Sequence, residues 1–129
     1  MDSRRILVID DSAATCRIVE SVLRKAGFDN IEVEQDGRAA IRAIQMVGFD
    51  IVLCDWEMEP MSGLEVLYHI RRHPGSKATP FILMSAKREP RWVLEAKQAG
   101  ADCLLAKPFD VATLKEKISQ VSIVPEPMH

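Results

Sequence analysis

The chain has 129 residues, of which 47% are hydrophobic and 28% charged, and its formal net charge is -2. This length predicts one domain with a buried core, and the composition is that of a globular protein in water. The charge, together with the absence of any basic run, excludes a nucleic-acid surface that depends on bulk positive charge. The cysteines Cys16, Cys54 and Cys103 lack C-x-x-C spacing, which indicates a reducing compartment without a disulfide framework or zinc site.

Apolar runs along the chain are short. The first, from Ile6 to Ile9, is too short for a secretory signal, and no run approaches the length of a membrane span. We therefore expect a cytoplasmic protein that does not enter a membrane. The run from Ile6 to Ile9 and four later runs predict five strands, each buried on both faces of a parallel sheet. These strands are expected at residues 5–9, 31–34, 51–55, 81–85 and 103–106.

Each strand is followed by a segment with helical periodicity. Four of these segments begin at a residue suited to an N-cap, namely Ser12, Asp36, Ser62 and Asp110, and most end at a glycine or before a proline. Ser62 to Glu65 has the spacing of a capping box. The periodicity places Ile18, Val47 and Val93 among the apolar positions that pack against the sheet.

Five strands alternating with five helices predict an α/β fold in which a doubly wound parallel sheet is covered on both faces by right-handed crossovers. The expected strand order is 2-1-3-4-5. We expect this domain to occupy residues 1–121. Pro125 and Pro127 predict that residues 122–129 form a disordered tail.

Polar side chains stand where four of the predicted strands end: Asp10 with Asp11, Asp55, Ser85 and Lys107. The carboxyl ends of parallel strands meet at one edge of a sheet, so these groups are expected to converge there. Gathered carboxylates repel each other, and an all-oxygen set of this kind favours Mg²⁺. The hydroxyl and the ammonium suit a phosphoryl group, which makes Asp55 the candidate nucleophile.

These residues belong to a larger set of motifs: Asp10-Asp11, Asp55 with Met58 and Gly63, Ser85-Ala86, Gly100-Ala101-Asp102 and Lys107-Pro108-Phe109. With them the sequence resembles the response-regulator receiver domain of two-component signalling, from Arg5 to Val121. The resemblance implies the flavodoxin-like fold of CheY-like receivers. It also implies that Asp55 accepts a phosphoryl group from a histidine kinase or a phosphotransfer protein in a phosphorelay and then switches binding to an unknown downstream protein.

The same resemblance implies a metal site. Mg²⁺ would be held by Asp11, Asp55 and the backbone carbonyl of Glu57, with Asp10 acting through water.

It also implies that Ser85 and Lys107 contact the phosphoryl oxygens and that the bond between Lys107 and Pro108 is cis. The family usually has an aromatic switch residue three places before this lysine. Here that place is taken by Leu104.

Three other functions are compatible with part of this pattern. A haloacid-dehalogenase-like phosphatase also uses an aspartate nucleophile, but it needs a second aspartate where this chain has Glu57, and a cap for which there is no room. An FMN-binding flavodoxin is disfavoured by the acidic pair after the first strand. A phosphorylation-independent adaptor remains a further alternative. We expect a protein that catalyses only its own phosphorylation and dephosphorylation.

Two charged residues flank the predicted site. Glu57 stands two places after Asp55, and Lys87 stands two places after Ser85, on strands expected to be neighbours. Their side chains either form an ion pair over the pocket or point separately to solvent. An ion pair would hinder the water that hydrolyses the acyl phosphate, so Lys87 is a candidate modulating residue.

Overall fold

The computed structural model describes residues 2–121, in which five strands alternate with five helices. The strands are β1 (Ile6–Ile9), β2 (Ile31–Glu34), β3 (Ile51–Asp55), β4 (Phe81–Ser85) and β5 (Cys103–Ala106). The helices are α1 (Ala13–Lys25), α2 (Gly37–Val47), α3 (Gly63–Arg72), α4 (Pro90–Ala99) and α5 (Val111–Val121). The predicted disordered tail, residues 122–129, lies outside the described residues, so the domain boundary stays a prediction.

The strands form one parallel sheet in the predicted order β2-β1-β3-β4-β5. In its register Ile9 lies opposite Cys54, and Asp55 lies opposite Met84. Asp10, the residue after Ile9, therefore emerges beside Asp55 at the carboxyl edge of the two central strands. Strand register alone places the two carboxylates next to each other.

Burial differs between the middle and the edges of the sheet. Every residue of β1, β3 and β4 is buried, as predicted. Most residues of β2 and β5 are only partly buried. The prediction of five fully buried strands is wrong for these two, because an edge strand has a neighbour on one side only.

Helices cover both faces of the sheet. Side chains from α2, α3 and α4 join one apolar cluster, and side chains from α1 and α5 join the other. The predicted caps are confirmed, since Ser12, Asp36 and Asp110 each accept a hydrogen bond from a backbone N–H in the first turn that follows. Ser62 and Glu65 form the predicted capping box. None of the helices within residues 2–121 is long and apolar enough to cross a membrane.

Three apolar side chains predicted to face the sheet do not. Ile18 is 64% exposed, Val47 is 51% exposed and Val93 is 45% exposed. The reason is geometric, because each helix contacts the sheet along a stripe narrower than its full apolar face. The helical spacing identified the apolar face of each helix correctly, but it could not show how much of that face contacts the sheet.

Candidate functional site

Three carboxylates meet at the carboxyl edge of the sheet. Asp55 ends β3 and is 4% exposed, and Asp10 follows β1 and is 2% exposed. Asp11 lies beside them and is exposed to solvent. Each of the three offers a carboxylate oxygen within 4.8 Å of the others. The structure thus brings together the acidic residues that the strand ends predicted.

Among the residues that the structure describes, one cation faces this group. The Lys107 ammonium donates a hydrogen bond to Oδ1 of Asp55 at 2.5 Å and lies 3.9 Å from Oδ2 of Asp10. Lys107 follows β5, so its long side chain reaches across from the far side of β4. A single ammonium does not neutralise three carboxylates, and the pocket keeps an excess of negative charge.

Burial sets the protonation behaviour of the site. Loss of hydration raises the pKa of Asp55 to about 6, although the hydrogen bond from Lys107 acts in the opposite direction. Burial also raises the pKa of Asp10, against the effect of the Ser12 N–H that it accepts. For Lys107, burial lowers the pKa, but the bond to Asp55 and the surrounding carboxylates outweigh it, so its pKa is raised.

The residues present fit a hard divalent cation. Oδ2 of Asp10 is buried and has no hydrogen-bond partner among residues 2–121. An unpaired buried carboxylate oxygen is unfavourable unless something outside the chain binds it. The nearby carbonyl of Glu57 also accepts no hydrogen bond from the described residues. These donors are all oxygens, the ligands that Mg²⁺ prefers.

The loop after β3 is held close to the site. A Cβ at Gly63 would lie 2.2 Å from the carbonyl oxygen of Asp55, so only glycine fits there. The Gly63 N–H donates to the carbonyl of Trp56, and the Glu59 N–H donates to Oδ2 of Asp11. The Glu59–Pro60 bond is cis, which the sequence did not predict.

Two further predictions concern Pro108 and Ser85. The Lys107–Pro108 bond is cis, as the resemblance implied. Ser85 is fully buried at the end of β4, and its hydroxyl donates to Oε1 of Glu57 at 2.7 Å. The same hydroxyl accepts the backbone N–H of Lys87 at 3.0 Å. Ser85 is therefore beside the acidic pocket but engaged with a neighbouring carboxylate.

The possible ion pair between Glu57 and Lys87 is not formed. The Glu57 carboxylate is occupied by the Ser85 hydroxyl, and the Lys87 ammonium lies 4.2 Å from the ring centroid of Trp92. The sequence spacing correctly indicated that Glu57 and Lys87 lie close to each other. It could not show that an aromatic ring from α4 would compete for the lysine.

Two tryptophans connect the site to α4. Trp56, directly after Asp55, is buried, and its ring meets that of Trp92 edge to face at 5.4 Å and 86°. Trp92 is half-buried, and Leu104 packs against the same apolar cluster as the two tryptophans. Nothing in the sequence predicted the contact between Trp56 and Trp92, because the two tryptophans lie on separate elements.

Comparisons with known proteins agree with this geometry. A family model described as the response regulator receiver domain matches residues 6–119. The chemotaxis protein CheY-3 of Vibrio cholerae is 37% identical over 117 residues, covering 91% of this chain and 90% of that protein. CheY of Pseudomonas aeruginosa is 33% identical over 117 residues, covering 91% of this chain and 94% of that one.

Solved structures show the same fold. CheY4 of Vibrio cholerae is similar with a TM-score of 0.84 at 31% identity, covering 93% of this chain and 99% of that chain. The receiver domain of the sensor histidine kinase PA1611 from Pseudomonas aeruginosa gives a TM-score of 0.84 at 25% identity, covering 94% of this chain and 98% of that chain. That receiver was crystallised with a magnesium ion coordinated in its active site cleft. The family match, the relatives and the strand order together show that the chain belongs to the response regulator receiver domains, the phosphoacceptor modules of two-component signalling.

Proposed function

We propose that Asp55 is the phosphoacceptor of this receiver domain and takes its phosphoryl group from a histidine kinase or a phosphotransfer protein. One observation carries the proposal. The Asp55 carboxylate ends the central strand β3, is 4% exposed and is hydrogen-bonded by Lys107. Asp10 and Asp11 stand within 4.8 Å of it. No other carboxylate in the described part of the chain combines these features.

The transfer is a nucleophilic substitution at phosphorus. A carboxylate oxygen of Asp55 bonds to the phosphorus, the bond between phosphorus and the donor breaks, and an acyl phosphate forms. A pKa of about 6 leaves Asp55 ionised at neutral pH and able to attack. Lys107, which holds Asp55 before transfer, is placed to bind an oxygen of the transferred group afterwards.

Bound Mg²⁺ would neutralise charge between the attacking carboxylate and the phosphoryl oxygens. Asp11, Asp55 and the Glu57 carbonyl are the proposed ligands, with Asp10 acting through water. The unpartnered Oδ2 of Asp10 and the free Glu57 carbonyl support this assignment.

The switch to a downstream partner needs a change near the site. The Ser85 hydroxyl has to leave Glu57 before it can donate to a phosphoryl oxygen. Leu104 carries no ring that could rotate with it, so we infer that loop 86–91 carries the change and that Leu104 moves little. Amide exchange with its largest phosphorylation-dependent change at Leu104 would contradict this.

A phosphatase that turns over an external substrate is disfavoured by the position two places after Asp55. A haloacid-dehalogenase-like enzyme has its general acid there, whereas here Glu57 accepts a hydrogen bond from the buried Ser85 hydroxyl. We infer a protein that acts only on its own phosphoryl group. We also infer a cytoplasmic location, because the three cysteines are free.

Intact-mass measurement tests the proposal. The protein is incubated with acetyl phosphate, with and without Mg²⁺, and we expect the mass of one added phosphoryl group only when Mg²⁺ is present. Asp55→Asn should abolish the gain, because an amide is not a competent nucleophile. Asp29→Asn, at an exposed carboxylate, is the matched control and should be phosphorylated normally.

Two outcomes would contradict the proposal. An unchanged mass for the wild type, with Mg²⁺ binding intact, would favour an adaptor that works without phosphorylation. Release of inorganic phosphate over many turnovers would favour a phosphatase.

A further inference from the structure

We propose that Trp92 is a positioning residue for the phosphorylation site. Its ring holds the ammonium of Lys87 away from the carboxylate of Glu57. That carboxylate is thereby kept as the acceptor for the Ser85 hydroxyl. The inference rests on the proposed role of Asp55, and it assigns to α4 a direct influence on how long the phosphoryl group remains.

The contacts of Trp92 define its position. The Lys87 ammonium lies 4.2 Å from the ring centroid, and the guanidinium carbon of Arg91 lies 4.9 Å from it. Both distances are within the range of a cation–π contact. Arg91 also pairs with Glu89 at 3.1 Å, whereas Lys87 makes no ion pair within residues 2–121. The ring is thus the one strong partner that these residues offer the Lys87 ammonium.

The ring itself is held relative to the site. Its contact with Trp56 is edge to face, a favourable arrangement for two aromatic rings. Trp56 is buried directly after Asp55, and its backbone N–H donates to the carbonyl of Met84 on β4. Trp92 is therefore anchored through the ring of Trp56, the residue that directly follows the phosphoacceptor.

Glu57 is the competing partner for the lysine. The Lys87 backbone N–H donates to the same Ser85 hydroxyl that donates to Glu57, so one serine oxygen bridges the two residues. A flexible lysine side chain attached at that point can reach either the carboxylate or the ring. The structure shows it on the ring.

The choice of partner affects the phosphorylated state. When the Ser85 hydroxyl moves to a phosphoryl oxygen, Glu57 loses its hydrogen-bond donor. A released Lys87 would then pair with Glu57 over the mouth of the pocket. That ion pair would stabilise the phosphorylated arrangement and obstruct the water needed for hydrolysis.

Hydrolysis itself is balanced without any further reagent. A water oxygen bonds to phosphorus, the bond from phosphorus to the Asp55 oxygen breaks, and inorganic phosphate leaves with the free carboxylate restored. By holding Lys87 away, Trp92 keeps the approach of this water open. The expected result of removing the ring is a longer-lived phosphoryl group.

The first test needs no phosphorylation. In NMR spectra of the wild type, the methylene protons next to the Lys87 ammonium should be shifted upfield by the ring current of Trp92. Trp92→Leu should abolish this shift, and Trp92→Phe should keep part of it. Unshifted protons in the wild type, or a shift that survives Trp92→Leu, would overturn the proposal whether or not Asp55 is the phosphoacceptor.

The second test measures the decay of the acetyl-phosphate-treated protein by intact mass. We expect Trp92→Leu to slow phosphoryl loss by about two- to fivefold, the factor that corresponds to one cation–π contact at a partly exposed site. The double variant with Lys87→Met should decay like Lys87→Met alone, because the ammonium that closes the pocket is gone. Trp92→Phe should stay close to the wild type.

The control is Leu94→Ala, on the same helix at a side chain that is 57% exposed, and its decay should be unchanged. Trp92→Met, whose unbranched and flexible side chain adapts to irregular gaps, serves the same test if Trp92→Leu does not fold. Independent, additive effects in the double variant would overturn the proposal, as would equal slowing by Trp92→Phe and Trp92→Leu. Failure of the wild type as well as the variants to take a phosphoryl group would contradict the role of Asp55, while the ring-current shift still reports on Lys87.

Discussion

The two ends of β4 carry opposite kinds of charge cluster. At the amino end, the partly buried Arg71 guanidinium donates to the carbonyls of Gly100 and Thr79 and to Oδ2 of Asp102 at 3.0 Å. Oδ2 of Asp102 also accepts the N–H of Phe81, the first residue of β4, at 2.7 Å. Each charged group at this end has its partners within the chain.

At the carboxyl end of the same strand the charges do not balance. Within the described residues Lys107 is the one cation among Asp10, Asp11 and Asp55, and Oδ2 of Asp10 has no hydrogen-bond partner. This difference distinguishes a charge cluster that stabilises the fold from one that serves a function. A cluster whose partners all come from the chain stabilises the fold, whereas a cluster short of a cation stores unfavourable energy until a cation binds.

The largest effect is expected at the balanced end. Arg71→Ala removes one of the two donors to Asp102 and the donor to three backbone carbonyls, those of Gly100, Lys77 and Thr79. We expect the free energy of unfolding to fall by about 2 to 3 kcal/mol. Chemical denaturation measures this. Arg72→Ala is the control, because within residues 2–121 this exposed guanidinium makes no ion pair and lies 5.8 Å from the centroid of the Tyr68 ring. It should change stability by less than about 1 kcal/mol. Equal losses would show that the Arg71 cluster contributes little.

The next effect is a pH dependence at the acidic end. Because the folded pKa of Asp55 is raised to about 6 from 3.8, the folded state binds more protons than the unfolded state between these values. In chelator, stability should therefore rise as pH falls from 7 towards 4, by about 2 kcal/mol from this group. Asp55→Asn should flatten that rise, and an equally steep rise in the variant would refute the assignment.

A smaller effect on stability is expected when one carboxylate of the acidic cluster is replaced by an amide of the same size. Asp10→Asn should raise the free energy of unfolding in chelator by about 1 kcal/mol, because a buried carboxylate becomes neutral. Asp11→Asn, at an exposed position, should raise the melting temperature less. Both variants should bind Mg²⁺ more weakly than the wild type in calorimetric titrations. A lower melting temperature with unchanged Mg²⁺ affinity would make the residue a structural cap.

The last prediction concerns Glu57, where the main effect is expected on the rate of phosphorylation. Glu57→Ala removes the acceptor of the Ser85 hydroxyl and should alter stability by only about 0.5 to 1.5 kcal/mol. The freed hydroxyl should speed phosphorylation by acetyl phosphate, measured as the initial rate of mass gain. Glu57→Gln keeps an acceptor for the hydroxyl and should be nearer the wild type. Slower phosphorylation in Glu57→Ala would mean that the carboxylate assists the transfer.

Much of the fold and of the acidic cluster was predictable from local chemistry. Runs of apolar residues determine where the strands lie in the chain, and alternation with helices leaves few topologies, so the strand order follows. A parallel sheet then brings the residues after its strands to one edge, which is why the sequence alone was enough to group Asp10, Asp55 and Lys107. Cap residues act within one turn, and their positions were also correct.

The tertiary structure decided those contacts for which groups that are distant in the sequence compete. Ser85, Glu57 and Lys87 can each take more than one partner, and only packing shows that the lysine lies on Trp92 and the hydroxyl on Glu57. The exposure of Ile18 likewise depends on the width of the sheet beneath α1. A sequence determines which groups reach an edge, because that follows from local periodicity. It does not determine which neighbours bind there, because the competing contacts differ by only about 1 kcal/mol.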